Sequence, residues 1–241
     1  MKKILVFLAV LLLLVSAAGL IYHEEVPKGE KGERAEALTD KMWEAIGKNA
    51  WDSLPFISWT FNRQNNYVWD KRNHQGSIAW DDYLVKLDLN SLEGIAFKGD
   101  KQLNGDAKKE AIDEAWKLWC NDSFWLNAPA KARDRGTERY FLKRNGRDAL
   151  LVQYTSGGVT PGDAYLWVLD ENGLPEYYKM WVSIIPVGGV KATWAEWKEM
   201  NGAMIATEHK IGPVNVGISD LKSGEKPTDV GIDENYFAQL D

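Results

Sequence analysis

Hydrophobic and polar residues alternate with a period of two over most of this chain, which is the pattern of β-strands with one buried face. A first run of such segments extends from Phe56 to Gly99, with short polar turns between the segments. Because short connections favour pairing between consecutive strands, this run predicts an antiparallel meander. A second run extends from Thr137 to Leu221 and is predicted to continue the sheet.

The most informative stretch is Asp163 to Ile185, in which two arms rich in apolar and aromatic residues flank the turn Asp170 to Gly173. Asn and Gly tolerate a positive φ, so this turn predicts a long β-hairpin near the middle of the sheet. The second arm alternates as far as Ile184, whereas the first arm, Ala164 to Leu169, is apolar on both faces. We therefore expect helices, a second layer or a ligand to cover this hairpin.

Two segments have the three-to-four residue spacing of amphipathic helices. The first extends from Arg34 to a stop signal at Gly47, and the second extends from Ala107 to Cys120. The following stretch, Asn121 to Pro129, is predicted to be irregular although it contains large apolar residues. We expect those residues to insert into a concave surface.

These elements predict an α+β fold, in which a curved antiparallel sheet of about ten strands forms an open, incomplete β-barrel lidded by two main helices. The predicted domain extends over residues 34–222. Before it, residues 23–33 are charged and contain Pro27 and two glycines, which predicts a solvated spacer. After it, residues 223–241 are predicted to form a polar C-terminal tail.

The N-terminus carries a targeting signal. Lys2 and Lys3 precede an apolar run from Ile4 to Ile21, and the flank that follows, His23 to Glu25, contains no Lys or Arg. Residues 1–22 are therefore predicted to be a signal peptide or a membrane anchor, and the sequence leaves these two alternatives open. In either case the rest of the chain is expected on the periplasmic side, anchored to the inner membrane or cleaved and soluble.

Composition and motifs argue against several kinds of partner and site. The chain has 241 residues, a net charge of −6 and one cysteine, Cys120, so nucleic acid is not an expected partner and no intramolecular disulfide can form. None of the three histidines has a second His or Cys at ligand spacing, which predicts no zinc site. No nucleophile elbow, phosphate loop or dinucleotide fingerprint is present, so we expect a protein without a cofactor or enzymatic activity.

The 12 Trp residues are the compositional anomaly. Trp combines a large apolar face with one N–H donor, and it suits cores, cavity walls and sugar platforms equally. Most single Trp residues are expected to fill the core, but the set exceeds what a sheet of this size needs and predicts a curved sheet with an apolar hollow. The candidate residues for the lining or lid of that hollow are Trp59, Trp69, Trp119, Phe124, Trp125, Trp167, Met180 and Trp181.

The segment Leu169 to Pro175, LDENGLP, resembles the strand, D-x-x-G-L-P turn and strand of the LolA and LolB group of bacterial lipoprotein carriers and related lipoprotein-sorting proteins. The order of elements over about residues 34–222 is similar to that group as well. The resemblance implies an incomplete β-barrel under helices, with an apolar cavity for acyl chains. This chain lacks the lipidated Cys of the membrane-anchored carrier, and we assign none of the group's handover residues to it. The resemblance also fits an uncharacterised exported branch of the group.

Together, these observations predict an exported, non-enzymatic protein that binds a lipid or acyl chain in a half-barrel cavity and handles envelope lipids or lipoproteins. Its expected partners are the apolar ligand, the membrane through the N-terminal segment, and an envelope protein. One alternative is a glycan-binding or glycan-active protein that uses exposed Trp faces with Asp81, Asp82 or Glu196. The other alternative is an anchored scaffold with a filled core.

Overall fold

The computed structural model describes residues 23–156 and 162–240. These residues divide into two compact units. Among the described residues, unit 1 consists of residues 23–42, 132–156 and 162–193, and unit 2 consists of residues 43–131 and 194–240. The predicted signal peptide or anchor, residues 1–22, lies outside the described residues.

Helices and strands in the described residues confirm an α+β fold with open antiparallel sheet structure, although there are fourteen strands where about ten are predicted. The helices are α1 (Glu33–Ala45), α2 (Lys48–Ser53) and α3 (Gly105–Asn127), with short 3-10 helices at Ala128–Lys131 and Pro227–Val230. The strands are β1 (Phe56–Phe61), β2 (Asn65–Asp70), β3 (Gln75–Trp80), β4 (Tyr83–Asp88), β5 (Gly94–Lys98), β6 (Lys101–Gln102), β7 (Thr137–Arg144), β8 (Arg147–Tyr154), β9 (Ala164–Leu169), β10 (Pro175–Trp181), β11 (Val190–Thr193), β12 (Ala195–Met200), β13 (Ala203–Ile211) and β14 (Val214–Gly224).

Unit 2 contains the predicted meander. Strands β1 to β5 each pair antiparallel with the next strand, and β1 also pairs with β14, which continues through β13 to β12. Helix α3 packs on β3, β4 and β5 of this sheet. The alternation of apolar side chains therefore gives the buried face that the helix covers.

Unit 1 contains the predicted hairpin, β9 and β10, within the strand order β7-β8-β9-β10-β11. All six residues of β9 are buried, so both of its faces are covered, as its two-sided apolar pattern predicts. The second arm, however, ends at Trp181 instead of continuing to Ile185. The chain bends there into β11, and Ile184 is 75% exposed.

The two faces of β9 differ in what covers them. One face packs Leu166 and Val168 against Trp181. On the other face, Trp167 lies opposite Tyr178 in the adjacent strand, with ring centroids 5.0 Å apart. Unit 1 therefore has an apolar layer on each side of its sheet.

Residues 23–33, predicted to be a solvated spacer, make specific contacts with unit 1. Glu30 exchanges two backbone hydrogen bonds with Phe141, each 2.8 Å long. The Glu24 carboxylate pairs with Arg144 at 2.8 Å and with Lys179, and the Glu24 carbonyl accepts a hydrogen bond from Trp181 Nε1 at 2.6 Å. The charged composition that suggests a spacer thus provides the partners that hold the segment against the sheet.

The C-terminal residues, predicted to be a polar tail, also pack on the sheet of unit 2. Phe237 is buried, and the Tyr236 hydroxyl lies 2.9 Å from Ser77 Oγ on β3. Lys86 on β4 donates to the Tyr236 carbonyl at 2.5 Å. The apolar residues of this segment are therefore part of the core of unit 2.

Candidate functional site

Helix α3 is longer than predicted, and its last two turns build the candidate site. The polar run Asn121 to Ser123 resembles a helix stop, but the helix continues to Asn127. Asp122 is 1% exposed, and its carboxylate accepts hydrogen bonds from the Tyr67 hydroxyl at 2.5 Å and from Asn65 Nδ2 at 2.9 Å. Asp in the interior of a helix usually disfavours the helical conformation, and these hydrogen bonds from β2 satisfy its carboxylate instead.

Close to Asp122 lies a packed aromatic cluster. Its ring centroids are 4.7 to 6.0 Å apart. The members of this aromatic cluster are Trp51, Trp59, Tyr67, Trp69 and Trp119. Three of the predicted lining residues therefore lie together in unit 2, and they contact one another as core residues do.

The polar atoms of the aromatic cluster have few conventional partners. Burial and the negative charge of Asp122 raise the pKa of Tyr67 well above its ordinary value, so this hydroxyl remains a donor to the carboxylate. The Nε1 atoms of Trp59 and Trp69 are buried without a hydrogen-bond acceptor among the described residues. The Trp69 ring meets the Trp119 ring edge to face at 85°, and the Trp59 ring is tilted against it at 55°.

Beside the aromatic cluster, unit 2 has a narrow crevice with a volume of about 10 Å³, enough for roughly one water molecule. Helices, the 3-10 helix after α3 and the β12–β13 hairpin each contribute to its walls, and none of the lining side chains is charged. The residues that line this apolar crevice are Ile46, Trp51, Leu126, Asn127, Pro129, Ala130, Trp194, Trp197 and Met204.

The turn between α1 and α2 forms one wall of the apolar crevice. Gly47 has a φ of +62°, and a Cβ built on it would lie 2.0 Å from the Gly202 carbonyl oxygen in the β12–β13 turn. Only glycine fits both constraints without strain. The close approach lets the Ile46 carbonyl accept a hydrogen bond from the Met204 backbone at 2.9 Å, which joins two lining residues.

Asn127 is the polar exception in the apolar crevice. It is 8% exposed, and its Oδ1 atom is buried without a hydrogen-bond donor among the described residues. Such an atom costs about 1–3 kcal/mol relative to a satisfied one. An unsatisfied carbonyl oxygen on a lining residue is therefore a position where a donor atom of a ligand would be stabilised.

Phe124 and Trp125 are the two candidate residues at the end of α3, and Trp125 lies beside the crevice lining. Trp125 is 8% exposed, with its ring centroid 5.1 Å from that of His209 and 6.5 Å from that of Trp194. Phe124 is half-buried. Trp125 therefore packs against the Trp194 wall of the apolar crevice, and its insertion into a concave surface stays a prediction.

The remaining candidates lie in unit 1 and on different faces of its sheet. Met180 and Trp167 share the face that carries Tyr178. Trp181 lies on the opposite face, where its indole N–H donates a hydrogen bond to the Glu24 carbonyl. Trp181 therefore does not line a space that Trp167 and Met180 also line.

The glycan alternative needs exposed Trp faces beside paired carboxylates. All twelve Trp side chains lie in the described part of the chain, and each is buried or half-buried. Asp81 and Asp82 are exposed at the β3–β4 turn, and Glu196 is exposed on β12. These positions do not provide the platform that this alternative requires.

A larger groove of about 670 Å³ lies in unit 1 but is lined by charged side chains. Lys143 pairs with Asp148 at 2.6 Å, and Arg147 pairs with Glu176 at 2.7 Å. Because these charges already have partners, the groove offers fewer uncompensated groups to a ligand than its volume suggests. The apolar crevice remains the stronger candidate.

Sequence reasoning did not find the lining residues Trp51, Asn127, Trp194 and Trp197 as site residues. The three Trp residues belong to the compositional excess, which is the one signal that points to them. Asn127 has no signal of its own, because its role depends on a hydrogen-bond partner that the fold does not supply.

No helix in residues 23–156 and 162–240 combines the length and apolarity needed to cross a bilayer. Within the same residues, no group of three or more His, Cys, Asp or Glu side chains could hold a metal ion.

Comparisons with known proteins give one kind of match. No protein-family model and no curated protein matches the chain. Among solved structures, the chain is similar to a DUF1329 family protein from Desulfovibrio piger, with a TM-score of 0.43 and 13% identity over 87% of this chain and 100% of that one. At this TM-score the likeness defines neither the fold nor the function of the chain.

Proposed function

We propose that this chain is a non-enzymatic binding protein, exported to the periplasmic side, that takes the apolar part of a lipid or acyl-chain ligand at the apolar crevice of unit 2. The single observation that carries the proposal is the lining itself: three Trp side chains, uncharged neighbours and one unsatisfied amide. Those residues supply apolar contact and one polar anchor, which is the usual make-up of a ligand pocket. The same lining supplies no acid, base or nucleophile.

Ligand entry requires the apolar crevice to widen, since about 10 Å³ does not hold a methylene chain. Trp197 is the side chain placed to move, because it is half-buried and lies on β12, whose described pairing is with β13. Its ring meets that of Trp194 at a centroid distance of 6.1 Å and an angle of 31°. Rotation of the Trp197 indole towards solvent would leave Trp194 as an exposed apolar wall for the ligand.

The energetics permit this opening. Burying an eight-carbon chain contributes roughly 6 kcal/mol at about 0.8 kcal/mol per methylene. Exposing the buried part of one aromatic side chain costs at most about 3 kcal/mol. About 3 kcal/mol remains to offset the loss of ligand freedom, which corresponds to dissociation constants of roughly several millimolar or weaker, so weak binding is expected.

Calorimetric titration tests the proposal with three eight-carbon compounds: 1-octanol, octanoate and octylamine. We expect at least one to bind the full chain with a negative heat-capacity change, the marker of buried apolar surface. Trp197→Ala should raise the affinity severalfold because the crevice is already open. Trp116→Ala, which changes a half-buried Trp outside the crevice, is the matched control. If none of the three compounds binds either the wild type or Trp197→Ala, the proposed function is wrong.

A further inference from the structure

We infer that the ligand of the apolar crevice carries a neutral hydrogen-bonding head, a hydroxyl or an amide, in place of a carboxylate or phosphate. This inference rests on the proposed function and names the class of its ligand. The observation behind it is the polarity of the lining: apart from the indole N–H groups of its three Trp residues, the polar side chain is that of Asn127, which carries the one side-chain carbonyl oxygen.

The position of Asn127 explains why its amide is available. It is the last residue of α3, and the chain continues directly into the 3-10 helix, with the Ala128 N–H bonded to the Phe124 carbonyl. The residue is only 8% exposed, yet Oδ1 has no donor among the described residues. A ligand hydroxyl or amide N–H can donate to Oδ1, and a neutral amide pairs with such a head without a change of charge.

A charged head finds no such compensation in the lining. A carboxylate buried there would lose its hydration without gaining a cation, which is more costly than burying a hydroxyl. The nearby lysines are engaged elsewhere: Lys48 pairs with Asp52, and Lys71 donates to the Trp51 carbonyl while its Nζ lies 4.1 Å from the Trp51 ring centroid. Neither lysine lines the apolar crevice.

The selectivity of the wild-type chain is the first test. Calorimetric titration at pH 7.5 should give a dissociation constant for 1-octanol at least tenfold lower than that for octanoate. Native mass spectrometry with the same two compounds should show the octanol complex alone at equal concentrations. Equal or tighter binding of octanoate overturns this inference while leaving the proposed function standing, whereas binding of no eight-carbon compound refutes the proposed function itself.

Variants of Asn127 provide the second test. Asn127→Leu keeps the approximate volume and removes the amide, so 1-octanol affinity should fall about three- to tenfold, the effect of one lost hydrogen bond. The same variant should unfold at an equal or higher temperature, because a buried unsatisfied atom has been removed. Asn215→Leu, an exposed site on β14, is the matched control and should change neither value. Unchanged octanol affinity in Asn127→Leu, or a lowered unfolding temperature, shows that the amide is structural and overturns the inference.

Discussion

Replacing Gly47 with Ala tests the close contact that forms one wall of the apolar crevice. Two costs arise in this variant. An L-residue at a φ of +62° is strained by about 1–2 kcal/mol, and the new Cβ lies 2.0 Å from the Gly202 carbonyl oxygen. Because backbone lies on both sides of that contact, relief requires the α2 end or the β12–β13 turn to shift, at about 1–3 kcal/mol.

A second glycine separates these two costs. Gly99 has a φ of +55°, close to that of Gly47, but no atom lies within 4 Å of the Cβ position there. Gly99→Ala therefore carries the backbone strain alone, partly offset by the lower entropy of the unfolded chain. We expect Gly47→Ala to lower the free energy of unfolding by about 2–5 kcal/mol and Gly99→Ala to lower it by about 1 kcal/mol or less.

Urea unfolding followed by Trp fluorescence measures both variants. All Trp residues except Trp167 and Trp181 lie in unit 2, so the signal reports mainly on the unit that contains both glycines. Gly47→Ala should also weaken octanol binding, since Ile46 and Met204 line the apolar crevice on the two sides of the close contact between Gly47 and Gly202. Equal destabilisation by the two variants would show that the Gly47 contact is not tight and would refute this reasoning.

Three further predictions concern hydrogen bonding and pH. Tyr67→Phe removes a donor to the buried Asp122 carboxylate and should lower the free energy of unfolding by about 1–3 kcal/mol in urea, whereas Tyr83→Phe on the surface should cost less than about 1 kcal/mol. Desolvation raises the pKa of Glu24, but its two cationic partners outweigh that effect and lower the pKa below 4.5. The stabilisation by Glu24 is therefore present above that pH and lost as the pH falls. In urea titrations, Glu24→Gln should lose less stability than the wild type between pH 5.5 and 3.5, and parallel curves for the two proteins would contradict this. Burial lowers the pKa of Lys71 to about 8, so the unfolded chain binds more protons than the folded chain between about pH 8 and 10.5. The free energy of unfolding of the wild type should therefore receive an increasing contribution from Lys71 as the pH rises through that window. Lys71→Met should remove this contribution in urea titrations at pH 7.5 and 10, and an identical pH dependence in both proteins would contradict the prediction.

The strand pairings that sequence patterns predict are those whose information is local. The meander from β1 to β5 follows from alternation and short polar turns, and the β9–β10 hairpin follows from the turn Asp170 to Gly173. Each of these features is contained in a window of about a dozen residues, so a local rule suffices.

The features that sequence reasoning missed depend on distant partners. Nothing near Asp122 shows that Tyr67, 55 residues earlier, will satisfy its carboxylate, so the helix is predicted to end too soon. Nothing near Glu24 shows that Lys179, 155 residues later, will pair with it, so its segment is predicted to be a spacer. Composition describes the residues themselves, whereas these outcomes depend on which groups the fold brings into contact.

The candidate site shows the same division in one place. The Trp excess indicates an unusual aromatic interior in unit 2. It does not distinguish the aromatic cluster, in which the rings pack against one another, from Trp194 and Trp197, which line the apolar crevice. The separation comes from two features of that crevice: the left-handed Gly47 turn, which only glycine adopts without strain, and the unsatisfied Oδ1 atom of Asn127. Indole N–H groups in the aromatic cluster can turn to π faces, but a buried carbonyl oxygen has no such substitute. A buried polar atom without a hydrogen-bond partner is a position where a ligand can supply the missing partner. Asn127 is therefore the residue on which the binding proposal depends most.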